Sequence, residues 1–272
     1  MRRLFIQVLA AAAACVALSD AWASAVAEIV VSNFRVEVTA LAPQASPAVS
    51  FASLMGSTSE SDSFFGNPAD DQHQSVASGQ AFGAAATTIS LGPFAGSAAA
   101  IEGNVFGDGA LIRTSAYAGD QVPQTGGDAT VGLADGVSTA SFTLAPWTLM
   151  TISARVDATA SCSGAAPFEM ADSGVLMAIG DDEGTGPQWA YVALDAFALG
   201  ASGPAADVET SFISLSYVND SDVPIFGVFS GYVASLASSG SPVDPVPEPA
   251  AAHLLLAGLA ILGLRRHLHG GR

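Results

Sequence analysis

Phe212-Ile213-Ser214-Leu215-Ser216-Tyr217-Val218 places Ile213, Leu215 and Tyr217 on one side of an extended chain and Phe212, Ser214, Ser216 and Val218 on the other. A period of two belongs to a strand with one face on a core and the other toward water. The same alternation appears in Phe34-Arg35-Val36-Glu37-Val38 and across 148–156. Asn219-Asp220-Ser221-Asp222-Val223-Pro224 supplies a turn after the first stretch, so 212–218 and 225–236 are expected to form a hairpin. Further strands are expected at 28–39, 48–54, 82–91, 98–106, 110–117, 137–144, 174–179 and 188–199, with a loop at 201–207. Charged helix formers are scarce, no helical period intervenes and no fixed repeat is present. The pattern therefore predicts an all-β protein, an antiparallel β-sandwich of the jelly-roll kind.

The pattern changes at both ends. Arg2 and Arg3 precede an apolar run over 4–18 and a patch of small residues, the plan of a secretory signal peptide. Ala23-Ser24-Ala25 fits the small-residue exit rule, with cleavage expected after Ala25; Ala21-Trp22-Ala23 and Ala25-Val26-Ala27 fit it too. At the other end, residues 250–264 carry no formal charge and, at about 1.5 Å per residue, make a helix of about 22 Å. That is short for a hydrocarbon core of about 30 Å. Arg265, Arg266 and Arg272 follow it and fix an orientation with the tail on the cytoplasmic side and the body outside. Pro247 and Pro249 prevent helix from extending backwards, so Glu248 lies in an extended, accessible segment.

Pro247-Glu248-Pro249, then a short apolar helix, then Arg265-Arg266, resembles the PEP-CTERM sorting signal of Gram-negative bacteria. The resemblance implies that the general secretion machinery delivers the chain to the inner membrane. There an exosortase, a membrane-embedded cysteine transpeptidase, removes the helix and passes the protein to the cell surface. It also implies association with exopolysaccharide and biofilm. The expected organisation is a signal peptide over 1–25, a β-sandwich over 26–237, a Ser/Gly/Pro linker over 238–246 and the sorting signal over 247–272. More loosely, the body is similar to exported domains that carry this signal. The parallels are Phe34-Arg35-Val36-Glu37-Val38 leading to Pro47-Ala48-Val49-Ser50-Phe51, the turn Leu144-Ala145-Pro146-Trp147-Thr148, and Asn219-Asp220-Ser221 at the close of a strand.

Charge narrows the partners. Residues 26–249 hold 24 of the 25 acidic residues but only Arg35, Arg113 and Arg155, and no lysine occurs anywhere, so the span carries a net charge of −21. Such a surface repels nucleic acid and anionic lipid. It suits solubility, multivalent cations or a hydrated polymer matrix. Cys162 is the one cysteine of the exported span, which excludes an internal disulfide; no base stands beside it, and it is expected as a small buried residue.

No nucleophile elbow, zinc-protease motif or phosphate loop is present. His73, amid Asp70, Asp71, Gln72 and Gln74, is expected in a solvated loop. Two acidic turns, Gly180-Asp181-Asp182-Glu183-Gly184 and Asn219-Asp220-Ser221-Asp222, offer oxygens of the kind calcium takes but lack the spacing of a known loop, and solvated turns are expected. No cofactor is implied. Trp147, Trp189, Tyr191, Tyr217 and Tyr232 suit either a core or a sugar-stacking platform, and the core is favoured. The sequence thus points to a non-enzymatic surface or matrix protein. Its alternatives are a carbohydrate-binding module and a secreted hydrolase; the last needs two facing carboxylates or an activated Cys162.

Overall fold

The structure, a computed structural model, describes residues 23–51, 57–66, 71–78, 82–119, 124–133, 140–181 and 190–240. The chain divides into two units, 1–240 and 241–272, and every described residue belongs to the first. The apolar run of the expected signal peptide, the linker beyond Gly240 and the sorting signal with Pro247, Glu248, Pro249, Arg265 and Arg266 lie outside the described residues.

Fourteen strands and no helix make up the described residues. The first seven are β1 (Ala23–Ala40), β2 (Val49–Phe51), β3 (Thr58–Gly66), β4 (Gln72–Ala77), β5 (Ala85–Ser90), β6 (Ala95–Asn104) and β7 (Gly109–Gly119). The remainder are β8 (Gln124–Gly132), β9 (Ala140–Leu144), β10 (Thr148–Cys162), β11 (Phe168–Gly180), β12 (Ala190–Leu199), β13 (Ala205–Asn219) and β14 (Ile225–Gly240). One sheet of six strands runs β13-β10-β1-β7-β6-β5; a second of eight runs β12-β11-β14-β8-β3-β4, with β9 and β2 branching from it. All pairings between these strands are antiparallel. The branch arises because β14 is long: its start pairs with β9 through Ile225–Phe229, and its remainder pairs with β8 through Tyr232–Ser239. This strand order establishes an antiparallel sandwich; it does not establish the jelly-roll connectivity expected from the sequence.

The two sheets bury their inner faces against each other in two different ways. At one end the filling is aromatic: Phe82 packs against Phe34, Phe51 and Phe229 with ring centroids 5.0–5.7 Å apart, and Phe142 meets Tyr217 edge-on at 5.2 Å. Offset and edge-on rings at such distances add to the area they bury. Elsewhere Ile29, Ile112, Val156, Val233 and other aliphatic side chains share the interface with Ala, Ser, Thr and Gly, and where the small residues face one another the sheets come close enough for hydroxyls to bond across the gap. Ser61 meets Thr87 at 2.8 Å, Ser63 meets Ser97 at 3.0 Å, Thr114 meets Ser235 at 2.8 Å and Ser24 meets Ser239 at 2.7 Å. Ser59 and Ser173 donate to the carbonyls of Ala85 and Thr159 in the opposite sheet, both at 3.0 Å. Each of these seryl and threonyl groups is withdrawn from water, so the bonds offset a desolvation cost that an unpaired hydroxyl would carry in full.

This seam explains the strands that hydrophobic alternation misses. The first six residues of β3 read Thr-Ser-Glu-Ser-Asp-Ser, with no apolar face, yet Ser59, Ser61 and Ser63 are fully buried as its inward row. β4 and the Gly-rich β8 were equally invisible to a search for apolar residues. β14 runs to Gly240, three residues into the expected linker, because buried Ser238 and Ser239 still pair with Met170 and Glu169. At the start, β1 begins at Ala23, upstream of the expected domain boundary at 26. β13 begins at Ala205, so the expected loop over 201–207 ends early.

Both open sides of the sandwich are covered by a side chain that takes up a free backbone amide, a device that protects exposed strand edges. Asp207 of β13 accepts the N–H of Phe197 in β12 at 3.1 Å. Gln74 of β4 accepts the N–H of Thr88 in β5 at 2.8 Å.

At Gly127 the two sheets meet backbone to backbone: an added Cβ would stand 2.4 Å from the carbonyl oxygen of Gly96 in the facing sheet. Two backbones cannot yield as a side-chain tip would, so Gly127→Ala is expected to cost about 2 kcal/mol or more, in the range of overpacked cores. Denaturant unfolding of the two forms measures it; equal midpoints would contradict the close-contact account.

Candidate functional site

The three short motifs singled out in the body meet at one end of the sandwich. Asn219, 1% exposed, ends β13 with its carboxamide turned inward. Its Nδ2 donates to the carbonyls of Leu144 at 3.1 Å, Ala145 at 2.9 Å and Val223 at 2.9 Å, while Oδ1 accepts from the backbone N and hydroxyl of Ser221 at 3.0 and 2.7 Å. Trp147 lies in the left-handed region at φ 53° and is held there from both sides: its N–H donates to the Ser221 carbonyl at 3.2 Å and its carbonyl accepts from Leu41 at 2.7 Å. Ala145 donates to the Ala48 carbonyl at 2.9 Å, which brings in the third motif, and Phe51 beyond it joins the aromatic filling. These motifs form a latch between loops. Asn219 and Ser221 are both consumed by the latch, and Asp220 and Asp222 are left exposed at the turn's rim, so the calcium-like spelling of this turn marks a structural knot. Of the other acidic turn only Gly180 and Asp181 are described, and Asp181 accepts a short hydrogen bond from the Tyr217 hydroxyl. Burial, then this bond, pushes the Tyr217 hydroxyl far above the usual phenol range. Among the described residues no group of three or more His, Cys, Asp or Glu is placed to hold a metal ion.

A different concentration of chemistry lies on the outer face of the eight-stranded sheet, where pairing aligns residues distant in sequence. One row crosses six strands as Phe197, Asp172, Leu236, Asp128, Asp62 and His73; the next runs Asp195, Gly174, Ala234, Thr130, Glu60 and Ser75. Five carboxylates thus share one face, with His73 the one cationic partner in these rows. His73 Nδ1 is 2.6 Å from Asp62 Oδ1, and this bond, then the charge of Asp62, raises the imidazole above its ordinary value. His73 therefore stands on β4, not in the expected solvated loop, although its ring is exposed. Desolvation, then Asp62 and Glu60, raises the Asp128 carboxyl. Like charges set directly opposite on a sheet are unfavourable, so the arrangement is retained at a cost to stability.

Where the two rows cross β11, β12 and β14, the face is hollowed into a groove of about 200 Å³. Its lining includes Gly174, the apolar Leu176 and Leu236, the half-exposed Tyr232 and the carboxylates of Asp172 and Asp195. Desolvation, then Asp195, raises the Asp172 carboxyl. Tyr191, 71% exposed, projects from β12 two positions beyond Ala193 of the groove lining. The expectation that the aromatics fill the core is therefore corrected: Tyr217 is buried, but Tyr191, Tyr232 and Trp147 all reach the surface, because the outward positions of these strands and turns carry them. Trp189 lies outside the described residues.

Cys162 closes β10 in a buried position, its thiol donating to the Ala198 carbonyl at 3.5 Å. Burial, then the nearby Glu169 carboxylate, pushes the thiol up, away from the reactive thiolate. The fully buried Glu169 itself accepts from the backbone of Ala166 at 2.6 Å and Gly164 at 2.8 Å and from the Ser163 hydroxyl at 3.3 Å, tying down the β10–β11 turn. No residue composition or spacing signalled this carboxylate.

Among known families, residues 245–267 match the model for the PEP-CTERM protein-sorting motif. That motif is the C-terminal sorting signal of exosortase substrates, and it implies export with transient membrane anchoring before cleavage. No curated protein and no solved structure matches the chain.

Asn219→Ala removes two donors and an acceptor from buried carbonyls and amides, and is expected to cost about 2–4 kcal/mol, at the upper end of single-site effects. Thermal or denaturant unfolding reads the loss; a change under about 0.5 kcal/mol would contradict the latch.

Proposed function

We propose that this protein is a non-enzymatic component of the cell surface or extracellular matrix that holds polysaccharide on the outer face of its eight-stranded sheet. The observation that carries the reading is the groove: an exposed Tyr232 lines it together with Leu176, Leu236 and two carboxylates, with Tyr191 further along the same face. Sugars present apolar C–H faces that stack on aromatic rings and hydroxyls that donate to carboxylates, and concave sites with few polar groups suit such ligands. The net charge of −21 over 26–249 opposes uronate-rich or sulfated chains and favours neutral or amino-sugar polymers. The sorting motif supports the reading by directing the body to where such polymers occur. An exosortase and the secretion machinery are its transient partners, and the membrane holds it only through the tail before processing.

Affinity electrophoresis of the exported protein through gels containing a neutral glucan, chitosan or alginate tests the binding. Retardation by the first or second and not by alginate is expected. Tyr232→Ala with Asp172→Asn should weaken it by about tenfold, in keeping with about 1.4 kcal/mol lost. Wild-type mobility unchanged in all three gels would overturn the reading. The sorting step has its own test. Arg265→Glu with Arg266→Glu should impair retention of the tail on the cytoplasmic side and block release. Release of this variant at the normal rate would overturn the orientation.

A further inference from the structure

Three overlapping triplets, Ala21-Trp22-Ala23, Ala23-Ser24-Ala25 and Ala25-Val26-Ala27, satisfy the small-residue rule of signal peptidase, and sequence alone does not separate them. The fold does. Ser24 is 2% exposed; its Oγ is 2.7 Å from Oγ of Ser239, which is fully buried, and its carbonyl accepts the N–H of Ser163 at 2.7 Å. Ala25 is fully buried and paired on both sides, with Ala118 of β7 and Cys162 of β10. Ala23, by contrast, sits at the strand's end with its pairing to Gly119 alone, beyond a register shift. Loss of Ser24 and Ala25 would remove the hydroxyl that satisfies Ser239, the carbonyl that satisfies Ser163 and the neighbour that flanks Cys162. It would also place the ammonium of Val26 inside the ladder between Tyr117 and Ser161. Cleavage of the Ala23–Ser24 bond keeps all of these groups in the folded chain, whereas cleavage of the Ala25–Val26 bond discards them.

We propose that signal peptidase hydrolyses the Ala23–Ser24 bond, so that the mature protein begins at Ser24. Water adds across this one amide, leaving a carboxylate on Ala23 and an ammonium on Ser24. The inference rests on the export reading above, and the test separates the two. The full chain is expressed in an exporting Gram-negative host, and the released protein is examined by intact mass and N-terminal sequencing. A terminus at Ser24, heavier by one serine and one alanine residue than the Val26 form, is expected. A terminus at Val26 or further along the chain overturns the proposal and leaves export standing; retention of Met1 overturns both. Ala21→Gln changes the position three residues before the proposed bond and lies outside the alternative triplets. Loss of the Ser24-terminated form is expected, and unchanged processing overturns the assignment.

Discussion

The distance between the two sheets is the constraint from which the rest of the molecule follows. Facing sheets in a sandwich usually stand about 10 Å apart, filled by branched and aromatic side chains. Here much of the interlayer is built from Ser, Thr, Ala and Gly, and Gly127 of one sheet lies against the backbone of Gly96 in the other. At that range a hydroxyl reaches across and finds a partner, so the polar seam is satisfied residue by residue. The phenylalanine cluster at the other end uses bulk instead, and Asn219 ties the loops that close over it.

A narrow interior frees the outer faces to carry what is unusual. The outward positions of β12 and β14 carry large aromatics, as at Tyr191 and Tyr232. The carboxylates aligned by strand pairing stand almost without cations, since Arg155 is engaged by Asp157 at 3.0 Å on the other sheet.

The alternating apolar segments were legible in the sequence because period two and turn residues are local properties: β1, β10, β13 and β14 all contain their expected cores. β3, β4 and β8 were not, because a seryl residue buried against another hydroxyl looks the same in sequence as one facing water. The terminal sorting signal was legible because its three parts are contiguous. The groove was not, because Asp172, Asp195 and Tyr232 come from three strands and only the register of β11 with β12 and β14 sets them side by side. Glu169 was hidden for a related reason: its donors come from the turn before it, and a lone acidic residue carries no mark of being buried.

The hydroxyl seam has a thermodynamic consequence. The heat capacity gained on unfolding comes from newly hydrated apolar surface, and hydration of polar surface subtracts from it. A chain that holds its layers together with serine and threonine exposes less oil and more alcohol when it melts. Its stability should therefore vary more gently with temperature than that of a leucine-filled sandwich of equal length, losing less of its margin in the cold.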